Sequence, residues 1–319
     1  MPFHKGHIAL IDFAIANTQS LQVLVCGNKN EPINGETRFN WVKNHYSDNS
    51  NVHVHLVEYD DEQLTASSVA GKEASEKWAD YLKERFAGID VFISSEAYGQ
   101  FVADRWGIEY IDFDEERKTV PVSATQIRQH PFTYWSYIPE IVQPYFVKKI
   151  CIAGAESTGK SVLTERLANH YNTAFVPEIA RDIVDTTASV TIGDLYAIAN
   201  AHASAIIKTI PFANKLLFVD TDLNITRSYA SFLFGTTIAT EDWVNEANQF
   251  DLYLFLETDC LYVQDGTRVS EADREALNAS HKKEFSKQGI SYYTIRGNWE
   301  ERFNTAVETI DKNFFGKRE

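Results

Sequence analysis

The sequence is poor in cysteine, with three among 319 residues. Cys26, Cys151 and Cys260 are far apart, lie in or beside apolar strand-like segments, and match neither a zinc-binding pattern nor a disulfide framework. We therefore interpret them as small core residues. The sequence also lacks an apolar segment long enough to cross a bilayer and a cationic, apolar signal at its start, so the cytoplasm is the expected location.

Basic residues are outnumbered by acidic ones, 30 against 45, which gives a formal net charge of −15. Sequence-independent binding to nucleic acid needs Lys and Arg side chains that neutralise phosphates, so this balance argues against it. We expect small-molecule ligands and no nucleic-acid or membrane partner; a homo-oligomer is compatible with the sequence. The 44% hydrophobic content is typical of globular chains, and the length corresponds to about two domains.

One phosphate-binding motif occupies residues 154–161, where GAESTGKS fits G-x-x-x-x-G-K-[ST]. An apolar segment before it predicts a strand, and apolar residues after it recur at helical spacing, which favours a P-loop over a chance match. Backbone N–H groups and the helix N-terminus would bind phosphate, Lys160 would reach the β- and γ-phosphates of ATP, and Ser161 would bind Mg²⁺. The expected nucleotide-binding residues are Gly154, Glu156, Ser157, Thr158, Gly159, Lys160 and Ser161.

A second motif, H-x-G-H, begins at His4 and ends at His7, directly before an apolar helical run. Paired imidazoles at a helix start can hold a phosphate and donate hydrogen bonds to charge that develops during nucleotidyl transfer. Two histidines near an N-terminus can equally face solvent or scavenge metal ions.

Residues 122–128, VSATQIR, favour the nucleotidyl-transfer interpretation. Ser123 and Thr125 can cap a helix and offer hydroxyl groups, while Arg128 offers a guanidinium to a triphosphate. H-x-G-H early and S-x-T-x-I-R late, with alternating strands and helices between them, resemble the nucleotidyltransferase superfamily. With the joining segment at 130–147 and the P-loop, the chain resembles the bifunctional NadR-type family of nicotinamide-nucleotide adenylyltransferases and ribosylnicotinamide kinases.

This resemblance covers nearly all of the chain and implies an α/β fold with two doubly wound parallel-sheet domains. A Rossmann-like nucleotidyltransferase domain would occupy residues 1–145, and a P-loop kinase domain would occupy 146–319. The residues agree, because apolar runs at 21–26, 52–57 and 91–94 predict strands separated by helical segments.

The start of the chain carries two further expectations. Some members of the family have an N-terminal helix-turn-helix domain, whereas H-x-G-H here begins at residue 4. We therefore expect no DNA-binding role. Relatives also begin the first domain with an apolar strand before this motif, so we expect the sheet to lack that strand.

Several residues of the first half suit nicotinamide mononucleotide. Arg38 and Trp41 lie one helical turn apart, so a cation and an aromatic ring could face the substrate phosphate and the pyridinium ring. Trp78 could act in the same way, and core packing is the alternative for both tryptophans.

Two short segments match the family pattern. SEAYG at 95–99 matches its pocket segment, which implies that Glu96 and Tyr98 bind substrate. Asp114 and Arg117 match its D-x-x-R, and they could instead form a surface ion pair.

The second half supplies acidic residues for a kinase. The apolar run 216–219 ends at Asp220, where P-loop enzymes place a carboxylate that holds Mg²⁺. Asp222 would bind substrate hydroxyl groups or the same metal. Glu178 and Arg181 resemble the family's E-x-x-R, and Glu178 could accept the proton of the attacking 5′-hydroxyl. Asp220 is the competing general base, and an i,i+3 ion pair is the structural alternative for Glu178.

Residues 265–274 form a polar segment that resembles the kinase lid. Arginines on a closing lid stabilise charge on the transferred phosphoryl group while excluding water, and Arg268 and Arg274 are the candidates. A solvated, charged loop is the alternative for either residue.

The resemblance implies two reactions that use ATP, with Mg²⁺ in the kinase reaction. The second domain would phosphorylate nicotinamide riboside, and the first would join nicotinamide mononucleotide to AMP, giving NAD and pyrophosphate. His4, His7 and Arg128 would stabilise the adenylyl-transfer reaction of the first domain. The alternatives are a monofunctional kinase with an inactive first domain and a non-enzymatic sensor of NAD or ATP.

Overall fold

The computed structural model describes residues 1–60, 64, 71–184, 187–263 and 270–316. The chain forms two compact units, unit 1 at Met1–Val142 and unit 2 at Gln143–Glu319. Among the described helices, none has both the length and the apolar character that a membrane span requires. The architecture is α/β with parallel sheets in both units.

The described residues of unit 1 contain four short strands that alternate with helices, as the sequence predicted. The strands are β1 (Leu21–Gly27), β2 (Val52–Glu58), β3 (Val91–Ser94) and β4 (Glu109–Asp112). The helices are α1 (Lys5–Asn17), α2 (Gly35–His45), α3 (Lys72–Arg85), α4 (Tyr98–Trp106) and α5 (Ala124–Gln129).

The strands of unit 1 form two separate parallel pairs rather than one continuous sheet. Strand β1 pairs with β2 and β3 pairs with β4, and within the described residues no ladder joins the pairs. One apolar cluster still connects them, because Leu24 of β1 and Phe92 of β3 both pack against Trp78 and Leu82 of α3. Most residues of β1 and β3 are only half-buried.

Unit 2 has one parallel sheet of five strands in the order β6-β7-β5-β8-β9. The strands are β5 (Lys148–Gly154), β6 (Phe175–Val176), β7 (Leu216–Asp220), β8 (Leu252–Leu256) and β9 (Tyr293–Ile295). The helices are α6 (Gln143–Phe146), α7 (Lys160–Tyr171), α8 (Ala180–Ile183), α9 (Ile192–Thr209), α10 (Leu223–Phe234), α11 (Asp242–Ala247), α12 (Glu271–Lys287) and α13 (Trp299–Phe314).

The centre of this sheet is completely buried, as expected for parallel strands covered on both faces. Every residue of β7 and β8 is buried, which explains their uninterrupted apolar sequences. The strand order reverses at β5, because β7 pairs with one of its edges and β8 with the other. Ligands of such folds bind where the order reverses, at the carboxyl ends of the strands. In unit 2 that position is the segment after β5, which is the predicted P-loop.

Two candidate active sites

The P-loop of unit 2 has the predicted strand, loop and helix, formed by β5, residues 155–159 and α7. Gly154 and Gly159 have φ angles of +142° and +86°, in the region that disfavours side chains. A Cβ atom on Gly154 would lie 2.5 Å from the carbonyl oxygen of Leu256, and one on Gly159 would lie 2.2 Å from the ring of Trp299. The two glycines of the motif are therefore required by local conformation and by packing.

The two proposed magnesium ligands meet beside this loop. Ser161 Oγ donates a hydrogen bond to Asp220 Oδ2 at 2.5 Å. Asp220 is completely buried, and its Oδ1 has no hydrogen-bond partner. Burial and then the nearby charge of Glu178 raise the pKa of Asp220 to about 6. A cation bound beside Asp220 would stabilise its charged form, because burial has removed the water that would otherwise do so.

The donor set fits Mg²⁺. The buried Oδ1 of Asp220 and the hydroxyl of Ser161 are hard oxygen ligands on one side of the loop. Within the described residues, no group of three or more His, Cys, Asp and Glu side chains could hold a metal by itself. Mg²⁺ keeps several water ligands and binds through one or two protein groups together with phosphates, so a sparse protein site is what this ion uses.

A cavity of about 380 Å³ opens beside the P-loop. Its polar lining includes Glu156, Lys160, Glu178, Arg181, His202 and Tyr229. Arg181 Nε donates to Glu178 Oε2 at 3.2 Å, so this pair also has the i,i+3 contact that the sequence allowed. The cavity therefore brings the candidate base Glu178 to the same space as the P-loop lysine.

The Glu156 carboxylate joins two elements of the cavity wall. Its Oε1 accepts hydrogen bonds from Thr187 Oγ1 at 2.8 Å and from Tyr229 OH at 3.0 Å. Burial, and then the charge of Glu156, raise the pKa of Tyr229 well above its ordinary value, so the phenol stays a donor. The sequence did not identify Thr187 or Tyr229, because only the fold brings them to the P-loop.

The structure places Asp222 differently from the sequence interpretation. Its Oδ1 caps α10 by accepting from the backbone N–H of Ile225 at 2.9 Å. Its Oδ2 accepts from Asn224 Nδ2 at 2.6 Å and from Tyr253 OH at 3.0 Å. The carboxylate is buried, does not line the cavity, and is occupied by three internal donors. Asp222 is a helix cap rather than a substrate ligand in this structure.

Arg274 is also placed differently from a mobile lid residue. It lies on α12 with an exposed fraction of 2%. Its Nε donates to the carbonyl oxygen of Glu156 at 3.1 Å, and its Nη2 to that of Ser157 at 3.3 Å. The guanidinium thus braces the backbone of the P-loop. The other lid candidate, Arg268, lies outside the described residues.

Arg302 of α13 braces the loop as well, and sequence reasoning missed it. It is 2% exposed, and its Nη1 donates to the carbonyl oxygen of Thr158 at 2.8 Å. Its other nitrogens donate to the carbonyl oxygens of Gly297 and Glu257 and pair with Asp259. The carbonyl and the N–H of one peptide unit point in opposite directions. Because Arg274 and Arg302 hold the carbonyl oxygens of residues 156–158 on the outside of the loop, the N–H groups of the same peptide units face its inside, where a phosphate would bind.

The histidine motif of unit 1 forms an unusual helix cap. His4 Nδ1 accepts from the backbone N–H of Gly6 at 2.9 Å, and His7 Nδ1 accepts from the backbone N–H of His4 at 3.3 Å. The ring centroids are 4.0 Å apart. Burial lowers the pKa of His4 to about 3 and that of His7 well below its ordinary value. Both rings are therefore neutral with Nδ1 as an acceptor, so the proton of each lies on Nε2, which is a donor.

Arginine side chains of unit 1 contact the backbone close to the histidine motif in sequence or in space. Arg38 is buried and donates to the carbonyl oxygens of Ile33 at 3.1 Å and Cys26 at 2.9 Å. Arg128 donates to the carbonyl oxygen of Met1 and, at 3.1 Å, to Thr125 Oγ1. The charges of Arg38 and Arg117 contribute to the lowered pKa of His7, so they lie near the histidine motif.

Ser123 of the second motif is an N-cap, as expected. Its Oγ accepts from the backbone N–H of Gln126 at 3.2 Å, and the Gln126 side chain accepts from the backbone N–H of Ser123 at 2.8 Å. This reciprocal capping box begins α5, the helix that carries Thr125 and Arg128.

Trp41 and Trp78 of unit 1 are buried. Trp78 is 5% exposed and packs edge-to-face against Tyr59 and Tyr81, with ring centroids 5.2 Å and 5.9 Å apart. Trp41 is 8% exposed on α2, beside Arg38 on the same buried face. For Trp78, the structure gives the core-packing alternative rather than a ring that faces a ligand.

The D-x-x-R segment is not an Asp–Arg ion pair in the structure. Asp114 accepts from the backbone N–H groups of Lys118 at 2.7 Å and Thr119 at 2.9 Å, which organises a turn. Arg117 instead pairs with Glu96 at 3.4 Å. This ion pair connects the two segments that match the family pattern, because Glu96 belongs to SEAYG at 95–99 and Arg117 belongs to D-x-x-R.

Known proteins resemble this chain in sequence along nearly its full length. The family model of the AAA domain matches residues 149–302, within unit 2. The trifunctional NAD biosynthesis/regulator protein NadR of Salmonella typhimurium strain LT2 is 28% identical over 343 residues, which cover 99% of this chain and 82% of the relative. The protein of the same name from Escherichia coli K12 is 28% identical, with coverage of 97% and 80%.

Solved structures resemble the chain in fold. A NadR protein in complex with NR has a TM-score of 0.77 at 21% identity, covering 100% of this chain and 94% of the other. A NadR protein in complex with NAD and AMP-PNP has a TM-score of 0.78 at the same identity and coverage. The resemblance inferred from the motifs is thereby confirmed: the chain is similar to NadR proteins in sequence over nearly its full length and in fold.

Proposed function

We propose that this chain is a bifunctional enzyme of NAD biosynthesis. Unit 2 phosphorylates nicotinamide riboside with Mg·ATP, and unit 1 transfers AMP from a second ATP to nicotinamide mononucleotide, releasing pyrophosphate. The relatives named above are NAD biosynthesis proteins, and a related fold binds NR, NAD and AMP-PNP. The observation that carries the proposal is the contact between Ser161 and Asp220 at the P-loop, beside a cavity that contains Glu178.

In the kinase reaction, Glu178 is the general base. Asp220 already accepts from Ser161 and is fully buried, whereas the Glu178 side chain lines the cavity and is 21% exposed. The 5′-hydroxyl oxygen forms a bond to the γ-phosphorus of ATP, the bond from that phosphorus to the bridging oxygen breaks, and the hydroxyl proton goes to Glu178. Lys160 and the inward loop N–H groups stabilise the charge on the phosphoryl oxygens. Ser161 and Asp220 would hold Mg²⁺, which supplies further positive charge when bound.

In the adenylyl transfer, the phosphate of the mononucleotide attacks the α-phosphorus of ATP and pyrophosphate leaves. No proton needs to be moved by the protein in this step. The Nε2–H groups of His4 and His7 donate hydrogen bonds to developing negative charge, and the N-terminus of α1 adds its positive end. Arg128 neutralises the triphosphate. Because the imidazoles are neutral donors, this step does not depend on an imidazolium.

Incubation of the purified chain with ATP and Mg²⁺, followed by mass spectrometry, tests both halves of the proposal. We expect NAD from nicotinamide riboside and from nicotinamide mononucleotide. Lys160→Met should abolish mononucleotide formation, whereas Lys208→Met, a change at an exposed lysine of unit 2, should not. His4→Asn keeps a capping side chain but removes the Nε2 donor, so it should slow NAD formation from the mononucleotide by about 10²-fold. His130→Asn, at an exposed histidine of unit 1, is the matched control.

A monofunctional kinase is the second candidate, and one observation favours it. Among the described residues of unit 1, the strands form two separate pairs rather than one continuous parallel sheet, which is the arrangement that usually carries a nucleotide cleft. Mononucleotide from the riboside without any NAD from the mononucleotide would select this candidate. Absence of turnover from either substrate would overturn both enzymatic proposals.

A further inference from the structure

The cavity of unit 2 has an apolar side and a polar side. On the apolar side, Leu195 and Ile198 of α9 line the cavity and pack in one cluster with Val184 and Val190. The polar side is formed where the P-loop and the carboxyl end of β7 lie next to each other. A ligand that combines a flat ring with a hydroxyl-rich part fits this lining, with the ring against the apolar side and the hydroxyl groups at the polar side.

Thr221 lies on the polar side and has an unusual backbone conformation. Its N–H donates to the carbonyl oxygen of Ile152 at 3.0 Å, which places it directly beside β5 and the P-loop. Its φ angle is +67°, in a region where a β-branched residue is an outlier and which glycine adopts without strain. The backbone turn alone would therefore favour glycine, and it does not explain the threonine side chain. Strained residues of this kind cluster at ligand sites, where the surrounding structure holds them in place.

The hydroxyl group of Thr221 is available to an occupant of the cavity. The side chain lines the cavity, and its Oγ1 forms no hydrogen bond within the part of the chain that the structure describes. Thr226 also lines the cavity, but its Oγ1 donates to the carbonyl oxygen of Asp222 at 3.4 Å. Thr164 also has an unpartnered hydroxyl, but that group is completely buried and outside the cavity. Of these three threonines, only Thr221 offers an unpartnered hydroxyl to a ligand.

We propose that Oγ1 of Thr221 forms a hydrogen bond with a sugar hydroxyl of the riboside and so positions the sugar for phosphoryl transfer. This inference rests on the proposed function, because it takes a riboside as the occupant of the cavity. Thr221 follows Asp220 directly and lines the same cavity as Glu178 and Lys160, so the ligand group that it meets lies close to the reacting atoms. In a riboside that group belongs to the sugar rather than to the base. A hydroxyl both donates and accepts, so it can pair with the 2′-, 3′- or 5′-hydroxyl.

Two substitutions separate the hydroxyl from the shape of the side chain. Thr221→Val keeps the β-branched shape and removes the hydroxyl, whereas Thr221→Ser keeps the hydroxyl and removes the methyl group. Thr164→Val is the matched control, because it makes the same change at a hydroxyl that also lacks a partner but does not line the cavity. Urea unfolding of each variant checks that a change in binding is not a loss of folded protein.

Calorimetric titration with nicotinamide riboside and its 2′-, 3′- and 5′-deoxy analogues measures the effect without turnover. We expect Thr221→Val to bind the riboside about tenfold more weakly than the wild-type chain, because one sugar hydroxyl loses its partner. Thr221→Val and the wild-type chain should bind one of the three analogues equally, namely the one that lacks this hydroxyl. Thr221→Ser should keep most of the riboside affinity. Affinity for ATP should not change, and Thr164→Val should bind the riboside like the wild-type chain.

Two results would overturn the inference: unchanged riboside affinity in folded Thr221→Val, or an equal loss for the riboside and all three deoxy analogues. The second result would mean that the hydroxyl serves local packing or a bound water. Failure of the proposed function has a different signature, because it would be the absence of riboside phosphorylation by a wild-type chain that binds the riboside. Absence of riboside binding by the wild-type chain would overturn both.

Discussion

The buried carboxylate of Asp220 should lower the unfolding free energy of ligand-free unit 2 at neutral pH, compared with a neutral side chain at the same position. The pKa of Asp220 is about 6 in the folded chain, against an ordinary value of 3.8. Below pH 4 the carboxyl group is protonated in both the folded and the unfolded states, and it carries no penalty. Above pH 6 it is charged in both states, and the folded state bears the full penalty of a buried charge. Asp220→Asn, which is neutral at every pH, removes this penalty and can still accept from Ser161.

The magnitude follows from the two pKa values. A difference of about two corresponds to about 3 kcal/mol of unfolding free energy once the pH exceeds both values. At pH 5 the same linkage gives about 1.5 kcal/mol, because the folded carboxyl group is still mostly protonated there. The stabilisation by Asp220→Asn should therefore grow by about 1.5 kcal/mol between pH 5 and pH 7.5.

Amide hydrogen exchange of β5 in magnesium-free buffer measures this difference, since these fully paired central amides exchange through unfolding of unit 2. Asp242→Asn, at an exposed carboxylate of the same unit, controls for the removal of one negative charge. Addition of Mg·ATP should reverse the order, because the wild-type carboxylate then has a cation to pair with. A variant that is less stable at pH 7.5, or a difference that does not change with pH, would refute the reasoning.

Three further predictions concern packing. Arg302→Met should lower the unfolding free energy of unit 2 by about 3–5 kcal/mol in urea titrations, because three carbonyl oxygens and Asp259 lose a buried partner. Arg296→Met, at a 70% exposed side chain, should change the unfolding free energy by less than about 0.5 kcal/mol. Equal effects of the two substitutions would contradict the bracing role of Arg302. Trp78→Ala should destabilise unit 1 by about 3–5 kcal/mol, and a normal melting temperature with lost mononucleotide binding would instead favour a ligand-facing ring. Gly159→Ala should abolish ATP binding in an equilibrium titration, since the added Cβ would lie 2.2 Å from the ring of Trp299 and the residue has a positive φ, and retained affinity would show that the loop adapts.

Local patterns account for the parts of the site that the sequence located. The strand, glycine loop and helix of the P-loop are adjacent in the chain, so their spacing carries the geometry. The apolar run before Asp220 predicted a buried strand that ends in a carboxylate, and parallel pairing then sets Asp220 opposite Ile152 of β5. The helix cap at Ser123 could be predicted from the sequence, because capping residues lie within one turn of each other.

Long-range contacts account for placements that the sequence did not predict. The Asp222 carboxylate accepts from two local donors, Asn224 Nδ2 and the N–H of Ile225, and also from Tyr253 OH, which the sequence could not place because Tyr253 lies on another strand. Arg274 was expected on a moving lid, but α12 carries it into contact with the P-loop backbone. Arg302 had no recognisable signal, since an arginine in an amphipathic helix is usually on the solvent face.

The sequence by itself predicted the resemblance to NadR proteins, the alternation of strands and helices, and the positions of the phosphate-binding segments, because these depend on residue types at short spacing. The tertiary structure decided which of the candidate side chains are available to a ligand. It also decided the hydrogen-bond partners of His4 and His7, the raised pKa of Asp220, and the separation of the described unit 1 strands into two pairs. Each of these depends on burial and on partners that are distant in the chain, and a linear pattern contains neither.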